Sequence, residues 1–63
     1  MNIKSKQHKA DAQYTVYLRE VEPDYDQDAG FEVVVARNMM PPRWRQFFAN
    51  RIDAERKFRE LTD

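Results

Sequence analysis

Trp44 to Leu61, WRQFFANRIDAERKFREL, is the stretch on which the reading of this chain turns. Placed about 100° apart, Phe47, Ala54, Phe58 and Leu61 fall in one narrow stripe. Phe48 and Ile52 fall in a second stripe, with Trp44, Arg51 and Glu55 between the two. The spacing predicts a single amphipathic helix that starts near Pro42 and frays near the chain end. Pro41 and Pro42 suit a helix start, because first-turn amides lack internal partners and proline presets φ. Met40, which precedes a proline, is biased away from helix. No clean capping box marks the start. Two apolar seams follow from this wheel, one for the chain's own strands and one for a second subunit or target. An Arg51–Glu55 pair, four residues apart, marks their border. The plainer reading is one wide core stripe whose charged side chains reach water by snorkelling.

Working outward, Phe31–Arg37 is a strand centred on Val33, Val34 and Val35. Tyr14–Val21 alternates Tyr14, Val16 and Leu18 with Thr15, Tyr17 and Arg19, the period of a half-buried strand. Between them, Pro23–Gly30 (PDYDQDAG) gathers a proline, three aspartates and the only glycine, which is turn chemistry. If Glu22 lies near Phe31, one hairpin face carries Tyr14, Val16, Leu18, Phe31, Val33 and Val35, a floor for the helix. The other carries Thr15, Tyr17, Arg19, Val21, Val34 and Ala36, which is too apolar for a face merely left in water. Residues 1–12 read as a flexible polar arm and 13–63 as a single domain. The fold class is therefore α+β: a two-stranded antiparallel hairpin followed by one C-terminal amphipathic helix, ββα, assembled as a dimer.

The dimer expectation comes from size. The chain has 63 residues, and a domain of roughly 60 residues hides only about 60% of the surface its unfolded chain exposes. Small scaffolds add a staple. There is no cysteine, and His8 is the only histidine, so disulfides and the usual zinc sites are excluded. Oligomerisation is the staple that remains. Hydrophobic residues make up 41% and charged residues 35%, a folded and highly charged composition. No apolar run approaches the roughly 20 residues of a membrane span. The lysine-bearing N-terminus lacks the apolar core of a signal peptide. A cytoplasmic location is expected.

Net charge is zero, but it is segregated along the chain. Residues 1–19 and 33–63 each carry a net of +3, and residues 20–32 a net of −6. Local patches of this kind steer partners even when the total vanishes. Asp24, Asp26 and Asp28 are spaced like calcium ligands, but the glycine and the closing glutamate of a calcium loop are misplaced and the flanks are strands. No metal or cofactor is expected, and the turn reads as solvated, with phosphate mimicry as a minor alternative. Ser5 lies in the polar arm, no pocket is legible, and Gly30 stands alone, so no enzyme is expected.

In size, charge and strand–strand–helix order the chain resembles the small accessory proteins of phages and mobile elements. That resemblance is one of general style, carries no residues across, and implies binding to one host machine. The expected function is a small non-enzymatic protein-binding module, an inhibitor or adaptor of a larger macromolecular machine. Its expected partner-binding residues are Trp44, Arg45, Phe48, Ile52, Tyr17 and Val34, since aromatic and arginine side chains dominate binding hot spots. The alternative is a small DNA- or RNA-binding protein gripping phosphates with Lys4, Lys6, Lys9, Arg45, Arg56 and Arg59. A protein partner is expected over nucleic acid, with no membrane and no small-molecule substrate.

Overall fold

The computed structural model describes residues 1–63, in which four strands precede one helix. The strands are β1 (Asn2–Gln7), β2 (Tyr14–Val21), β3 (Gly30–Arg37) and β4 (Trp44–Phe48), and the helix is α1 (Arg51–Thr62). The strands form one antiparallel sheet in sequence order. The class is α+β, but the expected ββα hairpin is overturned: two further strands flank the central pair. The Cα envelope measures 35 × 25 × 15 Å. Its thinnest dimension leaves room for one sheet and one helix layer at about 10 Å spacing, so one sheet face has no cover.

The central pair follows its sequence pattern. Val16 opposes Val35 and Leu18 opposes Val33, and all four are buried in one cluster with Ala54 and Phe58. Ile3, Tyr14, Phe31, Phe48 and Leu61 pack around that cluster. Glu20, rather than Glu22, opposes Phe31. A two-residue shift keeps every side chain on its face, so the expected floor for the helix is present.

The first correction concerns residues 2–7. They pair with β2, Lys4 opposite Leu18 and Lys6 opposite Val16, so this part of the polar arm is an edge strand. Its side chains carry little β signal. What holds it is the free edge of β2, which supplies backbone partners, together with Ile3 packed against the core and two ion pairs, one to α1 and one to the residue that follows it. Lys4 Nζ lies 2.7 Å from Glu55 Oε1, and Lys6 Nζ lies 3.2 Å from Asp63 Oδ1. The connection to β2 is also tied down, because the Lys9 N–H donates to the Leu61 carbonyl at 2.9 Å.

The second correction concerns the decisive stretch itself. Trp44–Phe48 is a strand, and α1 begins at Arg51. Trp44 opposes Val35, Gln46 opposes Val33 and Phe48 opposes Phe31, so the two-seam helix does not exist. Aromatic side chains favour a pleated surface, and the open edge of β3 offers one. The helix start carries its own signal in Asn50–Asp53. The Asn50 side chain accepts the Asp53 N–H at 2.9 Å, and its amide donates to the Asp53 carboxylate at 3.0 Å. This reciprocal cap satisfies an amide that lacks an internal partner, and Asp53 also suits the positive end of the helix dipole. Ala54, Phe58 and Thr62 are the buried face of α1, and Ile52 is exposed. At the other end, Thr62 Oγ1 donates back to the Phe58 carbonyl at 2.9 Å.

Gly30 starts β3 because nothing larger fits. A Cβ there would lie 2.3 Å from Phe47 Cζ and 2.7 Å from the Phe48 carbonyl oxygen. Between β3 and β4, Met39 adopts a φ of 62°, and the Met40 N–H closes the turn onto the Arg37 carbonyl at 3.2 Å.

Two outcomes test this packing by thermal or denaturant melts. Phe58→Ala costs about 3–5 kcal/mol, the cost of truncating a buried phenylalanine, whereas Ile52→Ala changes stability by less than about 0.5 kcal/mol. Gly30→Ala costs about 1–3 kcal/mol, because the Phe47 ring and the backbone beneath it must shift.

Candidate functional surface

The register fixes what the uncovered face presents. On β2 and β3 the residues opposite to the core set point away from α1, and their cross-strand neighbours on β1 and β4 join them. One row runs Ser5, Tyr17, Val34, Arg45 across all four strands. The next runs Asn2, Arg19, Glu32, Phe47. Val21 and Gly30 close the face at one end, Thr15 and Ala36 at the other.

Val34 is only 6% exposed although no element covers it, so its neighbours in these rows close over it. Phe47 is 44% exposed, its ring lying over Gly30. A shallow depression of about 340 Å³ runs between Asn2, Tyr17, Arg19, Val34 and Ala36. Arg19 Nε sits 3.4 Å from Glu32 Oε1, which neutralises the two charges in the middle of the face. Arg45 takes part in none of the ion pairs. The surface is therefore an aromatic and aliphatic strip with one free cation at its β4 border.

Of the six residues expected to bind a partner, Tyr17, Val34 and Arg45 are adjacent in a single row. Trp44 and Phe48 point to the other face, where Phe48 packs against the core and Trp44 is 37% exposed. Ile52 lies apart on α1. Sequence reasoning missed Phe47 as a surface aromatic, because a helical wheel assigned it to the core. Trp-Arg-Gln-Phe-Phe does not alternate apolar with polar residues, so no strand period marked Phe47; the aromatic content of the stretch was the one local β signal.

The basic residues of the nucleic-acid alternative do not form one surface. Lys4 and Lys6 are paired with Glu55 and Asp63, and Arg56 lies 3.6 Å from Asp53. Lys9, Arg56 and Arg59 meet around a shallow groove that also contains Glu60 and Asp63. Arg45 is on the opposite side of the sheet.

A larger cleft of about 490 Å³ opens at the end of the sheet where the β1–β2 and β3–β4 connections meet. Tyr14, Trp44, Arg43 and Lys57 line it, with His8 and Asp11. Its cations already rest on its aromatic rings, Arg43 5.0 Å from the Tyr14 centroid and Lys57 5.4 Å from that of Trp44. Lys57 also pairs with Glu60 at 3.3 Å. These contacts tie α1 to β4 and the β3–β4 connection to β2, a cation–π role that is structural. At the far end, Glu20, Glu22, Asp24, Asp26 and Asp28 enter no ion pair. The Asp24 carboxylate accepts the Asp26 N–H at 2.8 Å and so shapes the turn.

No family model, curated protein or solved structure matches the chain. No helix is long and apolar enough to cross a membrane.

One carboxylate departs from its ordinary titration. The Glu55 pKa is lowered, first by the hydrogen bond from Lys4, with further lowering from Arg51, whose Nε lies 3.1 Å away; desolvation opposes both. A lowered folded-state pKa gives stability that is present above the ordinary carboxylate range and is lost as pH falls through the folded value. Glu55→Gln therefore lowers the melting temperature at neutral pH, and the difference from the natural chain closes in acid below that range. Paired melts across pH check this; a constant difference down to strong acid would refute the assignment.

Proposed function

We propose that this chain is a small non-enzymatic protein-binding module, an inhibitor or adaptor of a larger macromolecular machine, that docks its partner on the uncovered face of its sheet. The observation that carries the reading is the row of Tyr17, Val34 and Arg45, with Phe47 beside it. Aromatic and arginine side chains combine large contact area with a polar handle and dominate binding energies. The neutralised Arg19–Glu32 pair lowers the cost of covering the centre of the face, since neither charge is left without a partner. Phosphate binding is less well supported. Three of the six basic residues it needs are neutralised by carboxylates within 4 Å, and a fourth is on the other face.

The test is capture of partners by the tagged chain, run beside a Tyr17→Glu variant and repeated after nuclease treatment. A protein is captured by the natural chain, survives nuclease, and is lost with Tyr17→Glu while the variant's melt stays close to that of the natural chain. Affinity for it changes little with salt, whereas phosphate contacts would give a steep loss. Capture that vanishes with nuclease, or that Tyr17→Glu leaves intact, would defeat the reading.

A further inference from the structure

The two edges of the sheet are built differently. β1 carries Lys4 and Lys6 and a register irregularity between Asn2 and Lys4; edge lysines and bulges are the usual guards against strand pairing. β4 carries Trp-Arg-Gln-Phe-Phe, with no lysine, carboxylate or proline, and pairs with β3 in unbroken register. It is the last strand of the sheet, so its outer edge faces no element of its own chain.

The ladder shows which groups that edge presents. In an antiparallel sheet the N–H and C=O of alternate residues turn to one neighbouring strand and then to the other. The Tyr14 carbonyl accepts from the His8 N–H at 2.9 Å, and the Glu20 N–H donates to the Met1 carbonyl at 2.8 Å. Even-numbered residues of β2 thus face β1, and odd-numbered ones face β3. Tyr17 then bonds Val34, and Val33 and Val35 turn to β4. The Val35 carbonyl does turn that way, accepting from the Arg43 N–H at 2.9 Å; since Val35 opposes Trp44, two consecutive residues meet it at the entry to β4, and the alternation runs from Trp44 onward. Gln46 and Phe48, opposite Val33 and Phe31, bond inward. The N–H and C=O of Arg45 and Phe47 point outward.

We propose that a second copy of this chain pairs antiparallel along β4, with Gln46 on the two-fold axis. In this register Arg45 of each copy lies opposite Phe47 of the other, and the outward groups of both residues exchange hydrogen bonds. The side chains agree with the backbone. On the uncovered face each Arg45 guanidinium meets a Phe47 ring, a favourable cation–π pair. On the helix face each Trp44 meets a Phe48. Neighbouring registers that keep the two uncovered faces on one side are worse. Centring on Arg45 sets two arginines against each other, which is unfavourable directly across a sheet. Centring on Phe47 sets Arg45 opposite Ala49, beyond the strand. The contact is isologous, the closed arrangement of two-fold dimers. It joins the two sheets into one and brings both uncovered faces side by side.

The experiment measures mass by light scattering and ultracentrifugation over a wide concentration range, with two variants. Arg45→Pro removes an outward N–H, so the sheet of a single chain keeps its bonds, since proline is tolerated on an edge strand where its missing donor faces solvent. Gln46→Cys places one thiol per chain, in a protein without cysteine, at a symmetric non-hydrogen-bonded pair. Such pairs have Cα atoms about 4.5 Å apart, within disulfide reach. The expected results are a two-chain mass for the natural chain, a one-chain mass for a folded Arg45→Pro, and oxidation of Gln46→Cys to a linked dimer much faster than of Ser5→Cys. A one-chain mass at high micromolar concentration, equal cross-linking of the two cysteine variants, or failure of Arg45→Pro to fold would each overturn the proposal. The last would show the Arg45 N–H bonded inward. None of these outcomes bears on partner capture, which Tyr17→Glu reads separately and without change in mass.

Discussion

Everything in this molecule depends on one contact, the seating of α1 through Ala54 and Phe58 on Val16, Leu18, Val33 and Val35. It is the only extensive apolar burial the chain possesses. Because one twelve-residue helix covers one side of a sheet, the contact divides the protein into a covered face and an open one. All other features are arranged around that division. The Lys4–Glu55 and Lys6–Asp63 pairs clamp the outer strand to the helix, and Lys4 Nζ also lies 5.0 Å from the Phe58 ring centroid. The Lys57–Trp44 contact does the same for the opposite edge.

This division explains why charge segregation in the sequence does not become a basic patch in the fold. Most basic residues of the N-terminal strand and of the helix face carboxylates of α1 and the C-terminus. The carboxylates left without partners are concentrated between β2 and β3, at one end of the sheet. The unpaired negative charge therefore gathers at one end of the sheet, and the open face is close to neutral apart from Arg45. Such a face favours contact by shape and apolar area, with charge used to orient.

The same logic makes the outer strands informative. Each is held by the backbone of its neighbour and by a few side chains, so each leaves a free edge. One is protected by lysines and an irregular register. The other has aromatic and arginine side chains in an order that matches its own two-fold image. Surface chemistry that looks unremarkable in one chain acquires meaning only when the direction of each backbone group is known.

The sequence by itself determined the central strands, the two faces they present, the acidic turn between them and the apolar stripe of Ala54, Phe58 and Leu61. These depend on alternation and helical spacing, which are local. It also placed Tyr17, Val34 and Arg45 among the binding candidates. What only the tertiary structure decided was the state of residues 2–7 and 44–48. The first are polar and become a strand because β2 has an edge to fill. The second fit a helical wheel and carry no strand alternation, and their state is decided by the free edge of β3 and by the Asn50–Asp53 cap that delays the helix. Pairing between distant segments is a property of the partner strand as much as of the segment itself, and no local pattern contains it.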